Sequence, residues 1–362
     1  MLIPVLSILG GFIVLGVGGE FLVRGATKLA ALAGVSSLVI GLTVVAYGTS
    51  APELIVTSYA SLQGKADIAI GNVAGSNLFN VLLILGVCGT LAPLLTSRQL
   101  VRRDLPVMVG ASLAFFLVCW DGVVQSWEGA LLVAGAVAYS VHSIVVSRRE
   151  QAAESRRLGV EPTPPATAAA WATSGGLVVL GLAALVLGGR LLVDGATAVA
   201  RALGVSEAII ALTIVSAGTS LPEVAASVVA TVRGERDIAI GNVVGSNTFN
   251  VLLILGTAGV VSHQGLSVSP AMLAFDIPLA VVVAIVAWAL LATQLRLDRW
   301  EGGLLLGGYV AYVTYLVLVE IHSPALGPFV AVMAYAILPL AALAVTVSLI
   351  LSLWQARRAR PE

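Results

Sequence analysis

Glu53 and Glu223 are the only carboxylates deep within the long apolar stretches of this 362-residue chain. Both close the same six-residue phrase, Gly48-Thr49-Ser50-Ala51-Pro52-Glu53 and Gly218-Thr219-Ser220-Leu221-Pro222-Glu223. An ionisable group at membrane depth costs at least ~2.5 kcal/mol on insertion scales, so by default it marks a pathway or a binding site. Thr49 and Ser50 stand four and three residues before Glu53, as Thr219 and Ser220 do before Glu223, which puts hydroxyls and carboxylate on one helical face. Proline removes an amide donor and glycine loosens the turn, so the pattern predicts a kink that leaves carbonyls near Ala46 and Ser216 without helix partners. A glutamate sealed by hydrogen bonds for packing is the bland alternative; two copies with the same hydroxyl neighbours argue against it.

A second phrase runs Gly71-Asn72-Val73-Ala74-Gly75-Ser76-Asn77-Leu78-Phe79-Asn80 and returns as Gly241 to Asn250. Ser76 and Asn80, like Ser246 and Asn250, are four apart and present hydroxyl and amide oxygens on one face, a ligand arrangement. Gly75 and Gly245 are expected to permit close helix approach. Asn72, Asn77, Asn242 and Asn247 suit interhelical hydrogen bonding and ligation equally.

The predicted lining is all oxygen. Hard cations want such a set: calcium takes about six to eight oxygen ligands, whereas zinc or copper would prefer His and Cys. Cys88 and Cys119 read as packing residues, and His142, His263 and His322 fall at different span ends. Arg and Lys are missing from the spans, so an anionic substrate would find no countercharge. No span holds a paired aspartate, a Ser–Lys or Ser–His dyad or an H-E-x-x-H motif, so enzyme chemistry is not expected, nor any cofactor. The expected substrates are Ca2+ and Na+; nucleic acid and obligate protein partners are not indicated.

The elements that position these groups must cross a membrane. The chain is 59% hydrophobic and only 10% charged, with a mean hydropathy of +1.03, where a soluble domain carries about 25% charged residues. Apolar stretches long enough to span about 30 Å as helices recur throughout. Eleven are expected, near 2–19, 36–61, 68–92, 105–120, 127–146, 171–189, 206–231, 238–261, 271–293, 301–319 and 326–353; the alternating pattern of a membrane β-barrel is absent. With the N-terminus outside, the inner segments and tail hold 16 Lys and Arg and the outer ones 3, so the positive-inside rule places the C-terminus in the cytoplasm. The first span lacks a basic leader and a small-residue cleavage site and reads as a retained helix.

Shifting the sequence by 170 aligns Gly18–Gly86 with Gly188–Gly256 without gaps, and Gly64–Gly86 matches Gly234–Gly256 at 19 of 23 positions. Asp104-Leu-Pro106 recurs as Asp276-Ile-Pro278, each a predicted helix N-cap, and Trp127-Glu128-Gly129 recurs as Trp300-Glu301-Gly302. Each copy holds five spans. An odd number makes the second copy enter from the opposite side, the inverted-repeat plan of transporters. The expected organisation is a first repeat (1–146), a cytoplasmic linker (147–170), a second, inverted repeat (171–320), and an additional helix with a basic tail (321–362).

The paired phrases resemble the calcium/cation antiporter superfamily, and specifically the prokaryotic sodium/calcium exchangers. The resemblance implies an all-α fold of two inverted five-helix repeats in the cytoplasmic (inner) membrane, exchanging Na+ for Ca2+ by alternating access. It also implies electrogenic transport, if three Na+ move per Ca2+. By motif position it assigns as ligands Glu53, Thr49, Ser50, Ser76, Asn80 and the Ala46 carbonyl, with Glu223, Thr219, Ser220, Ser246, Asn250 and the Ser216 carbonyl. Some relatives, including potassium-dependent exchangers, place Asp where this chain has Asn250, which points away from potassium co-transport. A Ca2+/H+ antiporter of the same fold is the runner-up, and a passive channel is a more distant alternative. The eleventh span lies outside the ten-helix pattern.

Overall fold

The computed structural model describes residues 2–158, 167–205, 207–210, 213–214, 216–262 and 264–346. The chain begins with α1 (Leu2–Ala33), followed by a broken span of α2 (Ser37–Ile40), a π-helical turn (Gly41–Val45), α3 (Ala46–Thr49) and α4 (Ala51–Leu62). Next come α5 (Ala66–Leu78), a π-helical stretch (Phe79–Leu85), α6 (Gly86–Leu91), α7 (Leu105–Cys119) and α8 (Ser126–Arg157). The second half repeats this order with α9 (Ala168–Ala202), α10 (Glu207–Ile210), α11 (Ser216–Gly218), α12 (Leu221–Val232), α13 (Arg236–Phe249), a π-helical stretch (Asn250–Leu255) and α14 (Gly256–Val261). It closes with α15 (Ile277–Ala292) and α16 (Arg299–Glu320), and α17 (Leu326–Val332) opens a final helical stretch.

Among the described residues, eight helices are long and apolar enough to cross a membrane, or nine if the pair meeting at 48° around Ser50 is one span. The chain is a multi-pass integral membrane protein. This total is below the eleven expected for two local reasons: α7 has only 15 residues, and the 206–231 stretch includes positions outside the described residues. Parts of the expected linker (159–166) and of the last span and tail (347–362) also lie outside them.

Several helices overrun their apolar stretches. The first continues through Glu20, Arg24 and Lys28 to Ala33, because hydropathy marks bilayer depth whereas long straight-chain residues sustain a helix beyond it. Asp104 and Asp276 stand at the N-cap positions of α7 and α15, but their side chains make no capping hydrogen bond. Each ends a π-helical turn that leads directly into its helix, a wider turn in which the two following prolines leave no regular α-helical amide to lose. Their carboxylates instead accept hydrogen bonds from Tyr139 and Tyr312, each at 3.0 Å.

The first helices of the two halves pack together antiparallel through small residues. A Cβ on Gly11 would lie 2.9 Å from the Gly188 carbonyl oxygen, and one on Gly18 would lie 2.9 Å from that of Gly181. Glycine lets the backbones meet there. Loops of the two halves join at short antiparallel pairs: β1 (Leu94–Leu95) with β4 (Arg296–Leu297), and β2 (Val123–Val124) with β3 (Leu266–Ser267). The repeated Glu128 and Glu301 complete capping boxes at the starts of α8 and α16.

At the waist of α1, Glu20 forms ion pairs with Arg24 and with Arg233. The corresponding i, i+4 residues of the second half, Arg190 and Asp194, are both exposed and make no ion pair among the described residues. The final helical stretch, Leu326–Thr346, buries none of its most apolar window.

Candidate cation site

The breaks at Pro52 and Pro222 create the site. Helices α4 and α12 restart at Ala51 and Leu221, so Glu53 and Glu223 fall in their first turns, where the positive end of the helix dipole favours a carboxylate. Both side chains are only 1% exposed. Each is held by the serine of the other half: Ser50 Oγ donates to Glu223 Oε1 at 2.8 Å, and Ser220 Oγ donates to Glu53 Oε1 at 2.9 Å. Those serines also lie 3.1 Å from Ser246 Oγ and 3.4 Å from Ser76 Oγ, respectively. The two phrases of each half therefore meet the two phrases of the other.

The asparagines cross in the same manner. Asn80 Nδ2 donates to Asn247 Oδ1 at 3.3 Å, and Asn250 Nδ2 donates to Asn77 Oδ1 at 3.0 Å. Both amide nitrogens are thereby used, which points the remaining oxygens elsewhere. Asn72 and Asn242 serve neighbouring helices, donating to Thr57 Oγ1 at 2.8 Å and Ser227 Oγ at 3.0 Å. Thr49 Oγ1 lies 3.1 Å from both the Val45 carbonyl and Asn242 Oδ1.

Four buried acceptors then have no donor: Glu53 Oε2, Glu223 Oε2, Asn80 Oδ1 and Asn250 Oδ1. Thr219 Oγ1 and Asn77 Nδ2 are likewise unpartnered. A buried polar atom without a partner costs about 1–3 kcal/mol, more if charged, and the two carboxylates also repel one another. A positive charge among these oxygens removes both penalties. The donor set fits a hard cation, and among the described residues no group of three or more His, Cys, Asp and Glu side chains forms an alternative metal site.

One expectation needs correcting. The Ala46 carbonyl is not released by the kink, since it accepts the Ser50 amide at 3.0 Å. Pro52 withholds its amide from the carbonyl four residues earlier, that of Gly48, so the break falls two residues later than expected. In the second half the Ser220 amide bonds to Ala217, at 3.2 Å, and not to Ser216.

One side of the site is tightly packed: a Cβ on Gly245 would lie 2.5 Å from the Leu42 carbonyl oxygen, so α13 sits hard against the Gly41–Val45 turn. Gly75 is expected to pack likewise, but Leu212 and the Ser216 side chain, which the 170-residue shift places opposite it, lie outside the described residues. Sequence reasoning also left open the part played by Asn77 and Asn247, whose oxygens accept from Asn250 and Asn80; their identity across the two copies was the signal.

Known proteins resemble this chain over most of its length. The family described as sodium/calcium exchanger protein matches residues 3–145 and 173–318. The sodium/calcium exchanger MaX1 of Methanosarcina acetivorans is 32% identical over 343 residues, covering 86% of this chain and 97% of the relative. The inner membrane protein YrbG of Escherichia coli is 32% identical over 324 residues, covering 87% and 97%. Among solved structures, the sodium-calcium exchanger NCX_Mj superposes with a TM-score of 0.75 at 28% identity, covering 86% of this chain and 98% of that one.

Proposed function

The chain belongs to the sodium/calcium exchanger family, and from that premise we propose that it exchanges Na+ for Ca2+ across the prokaryotic inner membrane by alternating access. As a member of that family it is a cation/Ca2+ antiporter. The observation that carries the sodium reading is the crossed oxygen set. A proton needs only a carboxylate, whereas here two carboxylates stand among Ser50, Ser220, Ser76, Ser246, Asn80 and Asn250, neutral oxygens of the kind that replace a metal ion's hydration shell. Thr49, Thr219 and the Ser216 carbonyl complete the proposed ligand set.

Ca2+ sits between Glu53 and Glu223 in this reading. Na+ ions take overlapping positions on the flanking hydroxyls, amides and carbonyls. The oxygens and the two charges do not suffice for full occupancy by both, so competition couples the fluxes. Three Na+ per Ca2+ would move net charge. With Asn at both 80 and 250 the site offers at most two negative charges, which favours potassium independence.

The architecture in this reading is two inverted five-helix repeats plus an additional C-terminal helix, with the N-terminus outside. Its support is reciprocity: Ser50 meets Glu223 as Ser220 meets Glu53, and Gly11 meets Gly188 as Gly18 meets Gly181, across helices that run antiparallel.

Reconstitution into proteoliposomes tests the proposal. A Na+ gradient should drive Ca2+ uptake, and Glu53→Gln and Glu223→Gln should each abolish it. Robust uptake by both variants would reject the site. Uptake that follows a pH gradient and ignores Na+ would make the chain a Ca2+/H+ antiporter.

A further inference from the structure

The two halves agree closely at the ion site, so the few places where they diverge beside it are informative. One is Tyr47, between the Ala46 and Gly48 positions of the first phrase, where the second half has Ala217. Its ring stacks on Phe249 with centroids 3.9 Å apart and planes 27° from parallel. Phe249 is fully buried immediately before the ligand Asn250, and Tyr139 packs on it from α8 at 6.0 Å. The Tyr47 hydroxyl reaches Ser140 Oγ on α8 at 2.8 Å. Ser140 already donates its proton to the Ala136 carbonyl, so Tyr47 is the donor in that contact.

The matching apparatus is missing from the other half. The Trp-Glu-Gly phrase aligns α8 with α16 at a shift of 173, which puts Val313 where the first half has Ser140. Ala217 has no ring to lay on Phe79, and Val313 has no hydroxyl. Phe79 makes an edge contact with Tyr309 instead, at 5.5 Å. Two complementary partners have therefore diverged together, while Phe79 and Phe249 have not. On the tethered side Gly245 also abuts Leu42.

We propose that Tyr47 and Ser140 form a one-sided latch that holds α3 against α8 and α13, so that the two access states of the exchanger differ in stability. Tyr47 is a positioning residue: it touches no ion, and it fixes the Gly48-Thr49-Ser50 segment through Phe249 and Ser140. The state with this side shut is the favoured one. The proposal rests on the antiporter reading for its consequence in transport, while the latch itself is independent of transport.

A protein whose binding-competent state is a minor fraction shows an apparent dissociation constant raised by that fraction. Loosening the latch should therefore act on one face alone. Tyr47→Phe and Ser140→Ala each delete the contact while keeping the ring or its neighbours. Both should lower half-saturating Ca2+ at the face uncovered when α2 and α3 swing open by several-fold, and change the opposite face by less than twofold. The double variant should match the single ones, because one hydrogen bond is lost in all three.

The measurement is Ca2+ uptake in vesicles of either orientation, paired with amide hydrogen exchange of the purified full chain in nanodiscs. Exchange over residues 37–49 should accelerate about three- to tenfold in both variants, with residues 236–249 little changed. Equal shifts at both faces, or unaltered exchange over 37–49, would overturn the latch. Absence of Ca2+ uptake by the unmodified protein would reject the antiporter reading instead, with hydrogen exchange still reporting on the latch.

Discussion

Ser50 gives its hydroxyl hydrogen to Glu223, a residue of the other half, and not to Glu53 three positions along its own chain. The bond from Ser220 to Glu53 mirrors it. Neither half completes its own carboxylate, so the candidate site exists only where the halves meet.

Loss of either serine should consequently weaken the site from across the interface. Ser50→Ala leaves Glu223 Oε1 without its donor, and Ser220→Ala does the same to Glu53. A hydrogen bond to a charged group contributes about 1.5–3 kcal/mol, so half-saturating Ca2+ should rise about tenfold or more in each. Uptake assays over a Ca2+ series check this, and a change below twofold would count against the crossed arrangement.

Asn80→Asp and Asn250→Asp test why these positions carry amides. Each substitution exchanges a donating nitrogen for an oxygen that faces Asn247 Oδ1 or Asn77 Oδ1, and adds a third negative charge. The cation-free protein should lose about 1–3 kcal/mol of stability through the two opposed acceptors. Added Ca2+ should restore more than it does in the unmodified protein, because binding to the folded state alone stabilises it by mass action. Thermal melts with chelator and with Ca2+ separate the two effects.

The close approach at Gly245 makes a packing prediction. Gly245→Ala forces a methyl against the Leu42 carbonyl, and overpacking of this kind typically costs about 1–3 kcal/mol. The melting temperature of the purified protein should fall accordingly, and an unchanged value would mean that α13 and the Gly41–Val45 turn do not meet closely.

The last helix offers a test by removal. It lies outside the family match, which ends at residue 318, and buries none of its most apolar window. A chain ending after Ser323 should insert, remain monodisperse and retain Na+-driven Ca2+ uptake within about twofold, as size-exclusion chromatography and uptake would show. Loss of folding would reveal a structural role for it.

Much of the site was legible because the same residues appear twice. Glu53 with Glu223, Ser50 with Ser220, and Asn80 with Asn250 stood out as polar groups in apolar surroundings. What they bond to was not legible, since the crossed pairs join residues more than 140 positions apart. Helix ends were misjudged for a different reason: hydropathy reports depth, and α1 runs on through Glu20, Arg24 and Lys28 once it has left the bilayer core. Asp104 and Asp276 looked like caps because Asp-x-Pro commonly starts a helix. The π-helical turns that carry the backbone through them have no signature in residue type.

The short strand pairs have a mechanical consequence. Leu94–Leu95 clips to Arg296–Leu297, and Val123–Val124 clips to Leu266–Ser267. The clipped loops adjoin α6 through α8 and α14 through α16, which are thereby riveted into one chassis that includes the Ser-Asn arms of the site through their continuity with α5 and α13. Nothing of the kind pins α1 or α9 among the described residues. Those two are zipped to each other by glycine, so a displacement of either would have to carry the other along.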